Sequence, residues 1–309
     1  MKRFFLFFCC LALFGLSLYA RPQRDVSGPL RVGIMASVES LPVMVAYNRG
    51  FFAQEGVEVE LIYFPNPQER DAAVQAGRVD GIITDMFGAA FFVAAGFDFR
   101  ITSVTNGRHG LVGSPDSGIT SLEGLRGRSI GLFTNTLTHF ITDSLLSSAG
   151  VSSSEYEVVA IPNIMVRLEM VLNGHIDAAL LPEPILTAAV AQGGVLIGNT
   201  ENTDLSAAVL FFSRSILDNR LNELRAFYRA YNRAIGEINA NPDSFRDFMV
   251  ERANFPAAIR DTFRFFTFNS AAMPTEQQIR RSLDWLRARD LLAANLSPAD
   301  LVDARAIGE

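Results

Sequence analysis

Hydrophobic and polar positions along this chain follow two alternating periods. Leu30–Ala36 (LRVGIMA) is a short apolar run that predicts a strand. Leu41–Gln54 repeats its apolar residues at helical spacing, and Gly56 is placed to stop it. Val57–Phe64 (VEVELIYF) alternates with period two and predicts a second strand. Gln68–Ala76 predicts a helix closed by Gly77. Val79–Thr84 predicts a buried strand, Met86–Ala95 a helix and Phe99–Thr105 a strand. This βαβαβαβ order is that of a mainly parallel sheet covered by helices.

The pattern then repeats. Pro65-Asn66 aligns with Pro162-Asn163, 97 residues later, and at that offset Arg70 meets Arg167, Val74 meets Val171, Gly77 meets Gly174, Val79 meets Ile176 and Asp80 meets Asp177. Two similar α/β lobes are expected, about 28–108 and 114–205. Beyond them Ala207–Phe212 predicts one more strand. Helices are expected at Asp218–Asn239, Pro242–Arg252, Pro256–Phe265 and Thr275–Asp290, the last opened by a Thr275–Gln278 capping box. The strand at 207–212 crosses back into lobe 1, with the terminal helices packed there, so lobe 1 is 28–108 plus 207–309. Two crossings, near Arg100–Val112 and Thr203–Phe211, would form a hinge.

Composition narrows the chemistry. Lys2 is the only lysine, and Cys9 and Cys10 are the only cysteines. The rest of the chain therefore offers no Schiff-base or P-loop lysine, no thiol nucleophile and no thiolate metal site. The net charge of −6 argues against a nucleic-acid partner. Met1-Lys2-Arg3 followed by the uncharged run Phe4–Ala20 reads as a signal peptide over 1–20, placing the body in the periplasm or another extracytoplasmic space. An uncleaved anchor and lipidation at Cys9 or Cys10 are the alternatives. His109, His139 and His175 lack metal-ligand spacing, and no metal is expected. Arg220, Arg225, Arg229 and Arg233 fall at helical spacing and read as a solvated helix face.

Four stretches carry a family resemblance. LPVMVAYNRGFFAQEGVEVEL (41–61), GRVDGIITD (77–85), SGITSLEGLRGRSIGL (117–132) and NGHIDAALLPEPI (173–185) resemble, in order and spacing, exported solute-binding proteins of the nitrate/sulfonate/taurine and thiamine-pyrimidine type. The resemblance spans about 28–290. It implies a two-lobed type II periplasmic-binding-protein fold, a ligand in the interlobe cleft, and an ABC permease with its cytoplasmic ATPase as partner. Some relatives are enzymes that make the thiamine pyrimidine with a lysine-bound pyridoxal cofactor and a Cys-rich motif. The body of this chain has neither, so no enzyme activity and no cofactor are expected. A monomer is expected.

Ligands of open α/β sheets bind outside the carboxyl ends of the strands. Those ends carry Ser37, Ser40, Phe64, Asn66, Thr84, Asp85, Phe87, Asn106, Thr134, Asn135, Thr136, Thr138 and Glu183, the expected ligand-binding set. The hydroxyls before Leu41-Pro42 and around Thr134–Thr138 open helices, whose free N–H groups suit an anion; capping of their own helices is the alternative role. Asp85 and Glu183 instead suit an amine, ring N–H or hydroxyl, and Phe64 and Phe87 could stack on a flat ring. A nitrogenous heteroaromatic such as a thiamine pyrimidine precursor is favoured. A nitrate- or sulfonate-type anion, a synthase-like enzyme and a membrane-anchored sensory receptor are the alternatives.

Overall fold

The computed structural model describes residues 28–205, 208–292 and 295–307. The expected signal peptide, with Cys9 and Cys10, lies outside them. So does Ala207, at the start of the expected returning strand.

Each half folds around a five-stranded sheet. The first has the order β2-β1-β3-β10-β4, with β1 Leu30–Ile34, β2 Val59–Tyr63, β3 Gly81–Asp85, β4 Phe99–Val104 and β10 Ala208–Ser213. The second has the order β7-β6-β8-β5-β9, with β5 His109–Gly113, β6 Ser129–Leu132, β7 Glu157–Ala160, β8 Ala178–Pro182 and β9 Val195–Asn199. The two orders are equivalent, strand for strand. β1 runs parallel to β2 and β3, as β6 does to β7 and β8. The sheets are nevertheless mixed. β10 lies antiparallel between β3 and β4, and β5 lies antiparallel between β8 and β9. Each sheet thus receives its antiparallel strand from a chain segment arriving from the other half.

Helical boundaries differ from expectation where the backbone is forced to turn. The run 41–54 is two helices, α1 Leu41–Asn48 and α2 Phe51–Gln54, because Gly50 takes φ 69° between them. The run after Asp218 breaks into α8 Arg214–Asn219 and α9 Leu221–Ala240 at Arg220, whose guanidinium binds Glu223 and the carbonyl of Gly28. The expected helix 256–265 contracts to a single 3₁₀ turn at Ala257–Ile259. Phe255, Phe263 and Phe268 are all buried there, at spacings that one helical face cannot satisfy. The Thr275 capping box is formed and opens α11 Glu276–Arg287.

α3 Pro67–Gln75 and α6 Ile164–Leu172 are opened by Asn66 and Asn163, which accept from the backbone N–H groups of Glu69 and of Met165 and Val166. α4 Met86–Ala94 and α5 Leu137–Ser148 follow β3 and β6. α7 Ile185–Ala191 follows β8. One hydrophobic core packs α1, α2 and α9 on the first sheet. A second runs without interruption from α4 through α11 to α5, joining the two halves. A third, smaller one fills the space between α6, α7 and the second sheet.

Candidate functional site

Residues that follow β3 and β6 meet between the two halves. Phe87, the second residue after β3, packs on Phe140 of α5 with ring centroids 5.2 Å apart, and Trp285 of α11 meets both rings edge-on. Asp143 ties this seam together. It accepts hydrogen bonds from Trp285 Nε1 (2.9 Å), from Tyr156 Oη and from Arg289, which itself lies 4.0 Å over the Trp285 ring. The resulting contact surface is apolar at its centre and charge-locked at its rim.

At the crossing from β4 to β5, Arg108 is buried and donates through Nε and Nη2 to Glu183, at the end of β8, at 3.1 and 2.7 Å. Glu183, 2% exposed, also accepts from Thr187 N and Oγ1. Burial without an ion pair would be prohibitive for either charge, and together they pin the crossing to the second sheet. Asn106 exchanges hydrogen bonds with Asn269, tying the same crossing to the C-terminal segment.

The remaining expected residues divide by what already engages them. Asn66 and Thr136 act as helix caps, the second accepting from Thr138 N while it donates to Phe133 O. Thr138 Oγ1 accepts from Phe133 N at 3.0 Å. Asp85 caps α4 by accepting from Gly88 N at 2.8 Å, and burial raises its pKa. Phe87 is fully buried in the seam, and Phe64 is packed over Gly33, so neither ring offers an open face in this conformation. Ser37 and Ser40 make no side-chain cap; their Oγ atoms lie 3.3 Å apart. The Thr84 hydroxyl is buried with no partner. Asn135 has φ 61° and its N–H reaches His139 Nδ1, while Thr134 is half-buried beside it. Of the expected set, the Thr84 hydroxyl alone is buried without a hydrogen-bond partner among the described residues.

Two groups here escape the sequence pattern. Glu39 lies between Ser37 and Ser40, is 6% exposed and forms no ion pair among the described residues. Its carboxyl packs flat on the backbone of Gly107, where any Cβ would fall on it. Burial, only partly offset by hydrogen bonds from its own backbone N–H and from Ser37 and reinforced by the charge of Glu183, pushes its pKa up to about 7. Arg167 of α6 is 1% exposed, and its Nε and Nη1 have no hydrogen-bond partner among the described residues. Burial alone pushes its pKa down to about 10. The neighbouring His109 is pushed down to about 4, first by its own burial and then by the charge of Arg167. No group of His, Cys, Asp and Glu suited to a metal ion occurs among the described residues.

This topology is that of the two-lobed solute-binding proteins. The aliphatic sulphonate binding protein SsuA of Escherichia coli superposes with a TM-score of 0.77 at 14% identity, covering 89% of this chain and 98% of that one. The family model described as NMT1/THI5 like matches residues 37–245, and the chain belongs to that family. A putative ABC transporter periplasmic binding protein of Brachyspira hyodysenteriae is 21% identical over 254 residues, covering 75% of this chain and 72% of that protein. The 4-amino-5-hydroxymethyl-2-methylpyrimidine phosphate synthase of Schizosaccharomyces pombe is 29% identical over 142 residues, 45% of this chain. The chain spans about two fifths of that synthase, whose covered share is 40%.

Proposed function

We propose that this protein is the extracytoplasmic receptor of an ABC importer, which takes a small polar solute between its two sheets and presents it to the permease. The observation that carries this reading is the exchange of antiparallel strands. Because β5 and β10 each cross from one half to the other, two connections link the halves. Such a pair can rotate about the crossings while each sheet stays intact. Lobes at 28–108 plus 207–309 and at 114–205 would be the moving bodies, the protein acting as a monomer. Closure by a ligand requires contacts from both bodies, because only differential affinity shifts the equilibrium.

Membership of a family that includes a pyrimidine phosphate synthase supports a second reading, enzymatic synthesis. The chain beyond Lys2 has no lysine and no cysteine, which disfavours the lysine-bound and Cys-rich chemistry that the resemblance implies. Native mass spectrometry of the purified protein, followed by thermal-shift screening, tests the receptor reading. A retained solute, or one that raises Tm by several degrees, is expected. Turnover of a supplied substrate by the purified chain would replace binding with catalysis.

A further inference from the structure

Trp285 is the only tryptophan in the chain, and it stands where the two halves meet. α11 carries it from the C-terminal part of the first half onto α5 of the second. Asp143 of α5 receives its N–H, together with Arg289 from just beyond α11 and Tyr156 from the second half itself. His139, the third residue of α5, lies one turn before Asp143. Its ring meets Trp285 edge-on, with centroids 5.3 Å apart.

Both nitrogens of that ring are committed, and to different ends. Nδ1 accepts from the Asn135 N–H at 3.3 Å, much as the third residue of a helix does in a capping box. Asn135 has φ 61°, in the left-handed region that a non-glycine residue holds only when its surroundings fix it. Nδ1 can accept only while it carries no proton, so the neutral ring keeps its proton on Nε2. Nε2 lies 3.8 Å from Asp143 Oδ1, and both side chains are mostly buried, at 15% and 12% exposure. The neutral imidazole thus holds the turn that opens α5 and leaves Asp143 to the groups arriving from the first half.

A proton on Nδ1 reverses both roles. The imidazolium has two donors and no acceptor, so the Asn135 N–H loses its partner. The ring also becomes a second cation beside Arg289, and both claim one carboxylate. Burial in the seam is the main force holding the His139 pKa below its ordinary 6.5; the charge of Asp143 opposes that shift and the charge of Arg289 adds to it. Tyr156, the remaining titratable neighbour, engages Asp143 as a neutral phenol. Parting the halves removes the cover and takes Arg289 away, while Asp143 stays beside His139 on α5. The parted form therefore binds the proton more tightly than the closed one, and by linkage the proton favours the parted form.

We propose that His139 is a positioning residue that couples the acidity of the medium to the lobes: neutral, it fixes the Asn135 turn and the closed seam; protonated, it releases both, so that acid opens the protein. This rests on the receptor reading for its two moving lobes, and its test needs no solute.

Trp285 emission and its quenching by acrylamide read the seam from inside, and small-angle scattering reads the separation of the lobes. Taking the full chain from pH 8 to pH 5, with far-UV circular dichroism unchanged, should dim Trp285 and enlarge the radius of gyration. Acrylamide quenching should strengthen about twofold as the parted population grows. His139→Asn sets an amide oxygen near the place of Nδ1 and cannot ionise, so it should keep its pH 8 values down to pH 5. His139→Ala, which has neither acceptor nor proton, should be equally flat. His109 and Glu39 are present in all three proteins, so the difference among them belongs to His139.

Emission that dims with no gain in acrylamide access or in radius would place a protonated His139 inside an intact seam and overturn the proposal. So would a His139→Asn protein that opens with acid as the wild type does. Either result leaves the receptor reading standing; that reading fails separately, if the purified protein neither retains nor binds a solute.

Discussion

Glu39→Gln isolates one buried proton. In an unfolded chain this carboxyl titrates near 4.5, and in the folded protein at about 7. Between those values the folded state keeps a proton that the unfolded state has released, so stability falls as pH rises through the window. At about 1.4 kcal/mol per pH unit the full penalty is about 3 kcal/mol, complete above pH 7 and absent below 4.5. It is an upper bound, since parting of the seam would let water reach the carboxylate. Glutamine keeps the shape of the protonated acid and cannot ionise. The difference in unfolding free energy, variant minus wild type, should therefore be near zero at pH 4 and rise to about 2–3 kcal/mol at pH 8.

The difference must be used, because His109 acts in the opposite sense. Its pKa is pushed from 6.5 down to about 4, so the unfolded chain holds the extra proton and stability is lost as pH falls through that window. In wild type the two slopes oppose each other from pH 4.5 to 6.5. In Glu39→Gln the histidine slope stands alone, and stability should climb steadily over that range. Urea titrations in steps of half a pH unit measure both curves. Glu183 is the charged neighbour whose field reaches Glu39, and Arg108 is committed to Glu183 and Glu201. A variant-minus-wild-type difference that stays flat from pH 4 to 8 refutes the assignment of a buried, uncharged Glu39.

Three further outcomes are expected. Asp143→Ala strands the Trp285 N–H, Arg289 and the Tyr156 hydroxyl together. It should cost about 2–4 kcal/mol and enlarge the radius of gyration in small-angle scattering as the seam parts; identical scattering and stability would show that the seam is not held there. Glu183→Gln leaves Arg108 buried with a carboxylate no nearer than Glu201 at 3.6 Å and a hydrogen bond to the Arg264 carbonyl at 3.2 Å, at an expected cost of about 3–5 kcal/mol in urea; a loss under 1 kcal/mol would mean that the crossing is not pinned by this pair. Gly107→Ala places a methyl 2.8 Å from Glu39 Cδ and should cost about 1–3 kcal/mol. Most of that should return in the Gly107→Ala, Glu39→Ala double variant, and additive losses would sink the claimed contact.

The fold was legible because it rests on periodicity and on duplication. Leu30, Val32 and Ile34 alternate into the core, Gly50 and Gly77 end helices with positive φ, and the repeat from Pro65 to Asp80 returns at 162–177 as the same helix between corresponding strands. The insertion of β10 as an antiparallel strand was less so, because an apolar run such as AVLFFS is compatible with either direction. The site was read by position, and position does not say which groups are already spent. Asp85 and Glu183 lie at strand ends as expected, yet one caps a helix and the other neutralises Arg108. Local spacing could have revealed the first of these and not the second, since Arg108 is 75 residues from its partner. Glu39 and Arg167 are buried ionisable groups that position alone did not single out, and only the second left a trace in the sequence. Aligning the repeats asks what became of the acids around Arg70, and the answer is Leu168 and Pro182. Duplication makes the halves alike enough to face each other. The copies then differ in how a buried charge is answered, by Asp71 and the Ile83 carbonyl at Arg70, and with Nε and Nη1 of Arg167 left without a hydrogen bond among the described residues.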